Sequence, residues 1–352
     1  MKIAVSILVS GLFIVTGIAW IQRTIPTHPI HFIVPKGWPK PLYDFSKNPI
    51  TKEGFELGRK LFYDVRLSKD GQFSCASCHQ QFAAFSTFDH PLSHGFNNQQ
   101  TSRNAPSLQN LAWQQNFMAD GGITHLDLQP LAPITAENEM AETIQNVLKK
   151  LKSDKTYQSM FRAAFGKETI NTQGLGKALS QFMLLLVSNH SKYDKVMRGE
   201  DSFLLAEKLG YQIFQTKCIS CHPAPFFTDF QYRNAGLPLN DYLKDYGRLK
   251  ITNNAIDSLL FRVPSLRNIA LTAPYGHDGR FTSLINLFDH YRKQMVLGPT
   301  TDSLFKNRLP LSNFEIGQLR AFLHTLTDTL FTKDPRFADP LYNKLLDPNH
   351  LH

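Results

Sequence analysis

The chain has 352 residues, with 42% hydrophobic residues, 12% aromatics and a net charge of +9. The length suits about two domains of ordinary size, and the apolar and aromatic content fits a globular, cofactor-filled interior. The basic excess is modest and makes no case for nucleic-acid binding.

The N-terminus carries Lys2 and then an almost uninterrupted apolar run from Ile3 to Ile21, ended by Gln22 and Arg23. The run is long for a signal-peptide core and just long enough to span a membrane. No small-x-small cleavage site stands near Trp20, and no Cys there could carry a lipid. Residues 1–27 therefore read either as an uncleaved signal anchor or as a cleaved signal peptide. Both export the rest of the chain to the periplasm, and the first tethers it to the inner membrane.

A predicted helix over residues 53–62 leads into Cys75-Ala76-Ser77-Cys78-His79. A second predicted helix, over residues 203–214, leads into Cys218-Ile219-Ser220-Cys221-His222. The two motifs use all 4 cysteines. Cys-x-x-Cys-His is the signature of c-type haem attachment: two thiols add to the haem vinyl groups, and the adjacent His is placed to ligate the iron. Two disulfides would leave each His unexplained. A four-Cys zinc site would also leave each His unused, and its paired knuckles would not lie so far apart. Two covalently bound haems follow, and export agrees with them, because c-type haem is attached outside the cytoplasm.

Apolar residues at helical spacing predict further helices over residues 141–151, 172–186, 284–291 and 313–326. Lys149, Lys150, Lys152 and Lys155 cluster after Val147. They read as a solvated helix face, with docking of an acidic electron donor as the alternative. Pro and Gly punctuate the rest, and no segment alternates apolar with polar residues. The fold class is therefore mainly α, with long loops of the kind that mark functional or cofactor-packed segments.

The chain also repeats itself. Leu57-Gly58-Arg59-Lys60-Leu61-Phe62 matches Leu209-Gly210-Tyr211-Gln212-Ile213-Phe214, and a haem motif follows each. Ala105-Pro106-Ser107-Leu108-Gln109-Asn110-Leu111-Ala112 matches Val263-Pro264-Ser265-Leu266-Arg267-Asn268-Ile269-Ala270. Asp120-Gly121-Gly122 with Leu126 matches Asp278-Gly279-Arg280 with Leu284. Matching blocks in one order predict two haem domains related by internal duplication, at residues 28–192 and 193–335, followed by a tail at 336–352.

From Phe55 to about Thr327 these residues resemble the bacterial di-haem cytochrome c peroxidase family, which includes the MauG branch. The most specific stretches run from Leu57-Gly58-Arg59 to His79, through Arg103-Asn104-Ala105-Pro106, and from Leu271-Thr272-Ala273-Pro274-Tyr275 through His277-Asp278-Gly279-Arg280-Phe281. The resemblance implies two cytochrome c-like domains with a calcium ion between them. It implies that the N-terminal haem binds peroxide and that the C-terminal haem passes electrons. Members are often dimers, so a homodimer is expected on the same ground.

On the N-terminal haem, the resemblance makes His79 the proximal ligand. Ser93-His94-Gly95-Phe96 is similar to the loop bearing a detachable distal His, so His94 is the expected sixth ligand, with His90 as competitor. Pro133-Ile134-Thr135-Ala136-Glu137-Asn138-Glu139-Met140 is similar to the peroxide-pocket segment. Glu139 is then the acid–base residue that relays the peroxide proton, Gln129 hydrogen-bonds the bound oxygen, and Pro133 shapes the wall. Glu137 is the alternative carboxylate. Read without the resemblance, both acids suit a helix N-terminus before Ala141.

On the C-terminal haem, His222 is the expected proximal ligand. Tyr291 stands where peroxidases of the family place a Met and the MauG branch places a Tyr, with Met295 one helical turn on as the alternative. A phenolate favours ferric iron and lowers the potential. Calcium would take the Asn104 side chain and the carbonyls of Thr272 and Pro274, oxygen donors that suit that ion. One position departs from the family. Members commonly carry a Trp between the haems as an electron relay, and here that place holds Ala119, which leaves Trp113, Phe117 or a direct path.

Three readings follow. The first is a periplasmic peroxidase that reduces hydrogen peroxide with electrons from a small cytochrome c or cupredoxin. The second is a MauG-like oxidase of a partner protein, favoured by Tyr291 and opposed by Ala119 and His94. The third is a non-catalytic electron carrier or sensor, opposed by Gln129, Pro133 and Glu139. Fold resemblance does not choose among them.

Overall fold

The computed structural model describes residues 27–166 and 170–341. The apolar run at 3–21 and most of the predicted C-terminal tail lie outside them. Among the described residues no helix is long and apolar enough to cross a membrane.

The fold is mainly helical. In chain order the helices are α1 (Lys52–Phe62), α2 (Cys75–Cys78), α3 (Leu131–Thr135), α4 (Ile144–Ser153), α5 (Lys155–Phe165) and α6 (Thr172–Leu184). They continue with α7 (Lys192–Met197), α8 (Leu205–Lys217), α9 (Leu249–Thr252), α10 (Leu284–Asp289), α11 (Asn313–His324) and α12 (Thr329–Lys333). Among the described residues the sheet is a two-residue antiparallel pair, β1 (Tyr232–Arg233) with β2 (Phe261–Arg262).

Helix α1 forms where the sequence predicts it. Thr51 caps it by accepting from the Gly54 amide at 3.0 Å, which satisfies one of the amides that a helix start leaves unpaired. Gly54, Phe55, Gly58, Leu61 and Phe62 form its buried stripe, at the three- and four-residue spacing of one helix face. That stripe packs on α6, itself capped by Asn171 at the Gly174 amide. Gly58 sits against the Ala178 carbonyl and the Phe182 side chain so closely that a Cβ would overlap them. Glycine is what lets the two backbones approach.

The same contact set recurs around the second motif. Helix α8 packs on α11, and Gly210 meets the Gln318 carbonyl and Phe322 as Gly58 meets Ala178 and Phe182. Asn110 and Asn268 both adopt left-handed backbone (φ 58° and 59°). Their amides donate to the Leu186 and Leu326 carbonyls at 2.9 and 3.0 Å. Ser107 and Ser265 hydroxyls donate to the Ala84 and Phe226 carbonyls. Each half has its own apolar core, one around Leu57, Phe62, Phe85 and Phe182 and the other around Phe214, Phe227, Leu319 and Phe322.

Polar groups join the cores. The fully buried Arg267 guanidinium holds both Asp194 oxygens at 2.7 and 2.9 Å. Its backbone carbonyl accepts from Gln109 Nε2 at 2.7 Å. Arg103 donates to Asp120 and Asp245, each at 2.6 Å. Ahead of α1, Trp38 packs on Trp113, which touches Phe226, with ring centroids 5.0 and 5.3 Å apart.

Two expectations change at this level. Helix α4 starts at Ile144 and is capped by Thr143, which accepts from the Asn146 amide. Glu137 and Glu139 therefore do not sit in a helix N-terminus. Of the basic cluster, Lys149, Lys152 and Lys155 are exposed, while Lys150 turns inward to the Arg66 and Ser68 carbonyls and to Glu142.

Candidate active site

Helix α2 is a single turn made of the first motif itself, and His79 follows at its C-terminal edge. The His79 Nδ1 lies 2.8 Å from the Phe85 carbonyl, and the His222 Nδ1 lies 2.9 Å from the Phe227 carbonyl. A carbonyl can only accept, so each Nδ1 carries the proton and each Nε2 keeps its lone pair for a metal. Burial pushes both imidazoles below their ordinary range, against the pull of those carbonyls, which keeps them neutral.

No two of the four cysteines are joined in a disulfide, which removes the disulfide reading. Among the described residues no three His, Cys, Asp or Glu side chains gather as a metal cluster, which removes the four-Cys zinc reading. Burial raises each thiol, and Cys75 and Cys218 reach about 12. Two free thiols beside a neutral His with an open Nε2 fit a haem at each motif.

Glu139 lies beside the first motif, and the loop carrying His94 is pinned to its segment. Glu139 lies close enough to Cys75 and Cys78 for its charge to act on both thiols. Ser93 hydrogen-bonds Cys78. The loop carrying His94 is pinned to the Glu139 segment: the Phe96 amide donates to the Glu139 carbonyl at 2.7 Å. Gly95 presses so closely on the Asn138 and Glu139 backbone that a Cβ would overlap it. His94 itself is exposed, its ring 5.5 Å from that of His90. Burial alone raises the Glu139 carboxyl above its ordinary value of 4.5, and no cation opposes it. Pro133 accepts from the Met140 amide at 3.2 Å, which folds the segment back on α3. Gln129 Nε2 points to the Met118 sulfur at 3.9 Å, beside Ala119.

At the second motif, Tyr291 lies within electrostatic reach of Cys218 and Cys221 and stacks on Phe305. The helical path through it widens to a π-helix at His290–Gln294 and then stops. Met295 is therefore not one helical turn on from Tyr291. Its backbone is extended, and its side chain is buried against Gly236.

Near the expected calcium ligands, the Asn104 amide donates to the His277 carbonyl and its Nδ2 to the Pro91 carbonyl. Among the described residues no donor engages Asn104 Oδ1 or the Thr272 and Pro274 carbonyls. Those oxygens fit a hard cation. Trp113 and Phe117 are both buried, and Trp113 reaches Phe226, four residues past His222.

Sequence reasoning missed three arginines. Arg103 ties the halves together, Arg267 holds Asp194 within the second half, and Arg262 is partly sealed beside Tyr232. Arg103 and Arg267 stand inside recognised blocks and Arg262 just before one, but the roles of the first two depend on partners distant in sequence.

Residues 52–202 match a family model described as di-haem cytochrome c peroxidase. The chain is 31% identical over 329 residues to the methylamine utilization protein MauG of Methylophilus methylotrophus, covering 91% of this chain and 94% of that one. It is 34% identical over 283 residues to the cytochrome c551 peroxidase of Nitrosomonas europaea, covering 79% and 81%. Its fold matches the crystal structure of a MauG-like protein associated with microbial copper homeostasis. That match has a TM-score of 0.81, 32% identity and coverage of 89% and 99%. The paired motifs, the two carbonyl-anchored histidines and these likenesses agree, and the chain belongs to the di-haem cytochrome c peroxidase family.

Proposed function

We propose that the protein is an exported, periplasmic peroxidase that reduces hydrogen peroxide to two waters, taking up two electrons and two protons. The observation that carries this reading is Glu139. It is a partly buried carboxylate on a non-helical segment beside Cys75 and Cys78, with no donor or cation engaged among the described residues. A perturbed, uncompensated carboxylate in such a place is a sign of function rather than of stability. When bound, the N-terminal haem supplies the iron on which the O–O bond is cleaved, and the C-terminal haem supplies the second redox centre.

The chain's own groups do the rest. Cys75, Cys78, Cys218 and Cys221 attach the two haems, and His79 and His222 hold the irons. Glu139 takes a proton from the near peroxide oxygen and returns it to the far one. Gln129 turns from Met118 to hydrogen-bond the substrate, and Pro133 walls the pocket. His94 would be a detachable ligand of the first iron, and its exposed side chain suits that movement. Tyr291, in preference to Met295, would hold the second iron together with His222. Asn104, Thr272 and Pro274 hold calcium. Electrons arrive from a small cytochrome c or cupredoxin and cross by way of Phe226 and Trp113. The recurring contacts support an internal duplication, with haem domains at residues 28–192 and 193–335. Residues 1–27 are the export signal or membrane anchor.

Tyr291 and the relatives named MauG favour a second reading, peroxide-dependent oxidation of a residue on a partner protein. Mixing peroxide with fully oxidised and then half-reduced holo-protein, while following both haem spectra, tests the choice. Reaction of the half-reduced form alone is the expected result. A prompt reaction of the oxidised form that stores the oxidising equivalents supports the second reading instead. No reaction in either state sinks both and leaves an electron carrier or sensor.

A further inference from the structure

Arg262 stands out among the cations of the chain. Its Nε is sealed from solvent and finds no acceptor. No carboxylate is paired with it, although 18 ion pairs form elsewhere among the described residues. A guanidinium nitrogen sealed without an acceptor is costly, and burial pushes Arg262 below its ordinary range, with only Tyr232 opposing.

The backbone holds this half-buried side chain in place. Arg262 pairs with Tyr232 in the β1–β2 ladder, and directly paired residues present their side chains on the same face. Its amide donates to the Ala119 carbonyl at 2.7 Å, and the next amide, Val263, donates to the Gln231 carbonyl at 2.8 Å. Both bonds fix the strand. Tyr232 closes the other side, packed on Gly121 with the Arg248 guanidinium 4.1 Å over its ring. Tyr232 also lacks a hydrogen-bond partner for its hydroxyl. The charged groups nearest in this stretch are Arg248 and Asp120, and the Asp120 carboxylate is already engaged by Arg103.

What lies next to Arg262 in the chain indicates the missing partner. Two residues on, the Pro264 carbonyl faces the buried His222 ring together with that of Phe227. Arg262 is therefore at the edge of the space beside the Cys218–Cys221–His222 motif. A haem seated there carries two carboxylate side chains. A planar guanidinium is suited to a carboxylate, which it can meet with two parallel hydrogen bonds.

We propose that Arg262 binds a propionate of the C-terminal haem. The inference rests on the two-haem reading of the chain. It gives Arg262 a further role as a positioning residue that tunes this haem. A fixed positive charge at the propionate favours addition of an electron to the iron, so it holds the potential of the C-terminal haem up against the anionic pull of Tyr291.

The test uses holo-protein carrying Arg262→Gln and Arg262→Lys, with haem content per chain measured first. Redox titration followed by optical spectra, with the two haems told apart by their ligand-dependent bands, reads both potentials. Resonance Raman reads the propionate bending modes. Arg262→Gln is expected to lower the potential of the C-terminal haem, leave that of the N-terminal haem in place, and shift the C-terminal propionate band. Arg262→Lys is expected to keep most of the potential, because the charge remains, while still shifting the band, because the two parallel hydrogen bonds are lost. If Arg262→Gln loses haem, Arg262→Lys carries the test through its band. Unchanged potentials and bands overturn the proposal, as does a shift confined to the N-terminal haem. A parent protein without two haems per chain overturns instead the reading on which the proposal stands.

Discussion

The Cα of Gly279 lies against the backbone of Pro91, close enough that a Cβ would overlap the Pro91 carbonyl. The two residues belong to different halves, and Pro91 stands three residues before His94. The same carbonyl accepts from Asn104 Nδ2 at 2.9 Å. A turn of one half and an amide of the other therefore brace the loop that bears the expected distal ligand. Gly279 also needs its positive φ of 69°, which a side chain disfavours. Gly279→Ala should displace the 91–94 loop and cost about 1–3 kcal/mol of stability. In the oxidised holo-protein, the N-terminal haem should shift toward a five-coordinate spectrum. An unaltered spectrum with an unaltered Tm would show that the contact does not hold the loop.

Tyr291→Met should raise the potential of the C-terminal haem, because a thioether is a softer, neutral donor that favours ferrous iron. Tyr291 sits beside Cys218 and Cys221 and stacks on Phe305, so a Met of similar length remains within the same space. A potential that stays where it was removes Tyr291 as a ligand. Met295→Leu serves as the counterpart. Met295 is buried on extended backbone against Gly236, so its replacement should cost less than about 1.5 kcal/mol and leave the potential alone.

Much of this arrangement was legible in the sequence where a local rule decides it. The sequence announces helix α1 over residues 53–62, and the Cys-x-x-Cys-His spacing announces the haem sites. What failed was spacing carried past a change of helix type. The π-helix at His290–Gln294 widens the turn, so Met295 does not fall beneath Tyr291. Helix α5 escaped prediction because Asp154 caps it immediately after α4 ends at Ser153, with no Gly or Pro between them. The arginines were illegible for a different reason. Nothing near Arg267 in the chain announces Asp194, 73 residues away, and nothing near Arg103 announces Asp245, 142 residues away.

The Arg267–Asp194 pair makes a prediction about acid. Burial acts to raise the Asp194 carboxyl, but the Arg267 hydrogen bonds and charge, with the Ser191 hydroxyl, outweigh it and hold the group below its ordinary 3.8. A carboxyl lowered on folding contributes stability that is present above its unfolded value and is lost as pH falls through the folded one. Unfolding monitored below pH 3.8 should therefore steepen with this pair intact. Asp194→Ala strands a fully buried guanidinium and should cost about 3–5 kcal/mol at neutral pH. A loss under about 1 kcal/mol would place the pair with weak surface bridges instead.

Glu139 behaves in the opposite sense, and the two effects of removing it can be separated. Burial raises its carboxyl above the ordinary 4.5. A group raised on folding contributes stability that is full below its unfolded value and is lost as pH climbs through the folded one. Charged Glu139 is thus a burden on the fold at neutral pH, and Glu139→Gln should raise the Tm there, with the difference vanishing in acid. The same substitution removes a group that can both take and return a proton, so peroxide turnover should fall by about 10²–10⁴-fold. Both haem spectra should persist, because neither His79 nor His222 bonds to Glu139. In the unmodified enzyme, turnover should climb with pH as the carboxyl ionises, and in the variant that limb should disappear. A variant that gains stability yet keeps full turnover would make Glu139 a bystander and pass the role to Glu137, whose side chain is exposed nearby. A variant that loses turnover and stability together would mean that the carboxyl holds the Phe96 contact and the His94 loop in place rather than moving a proton.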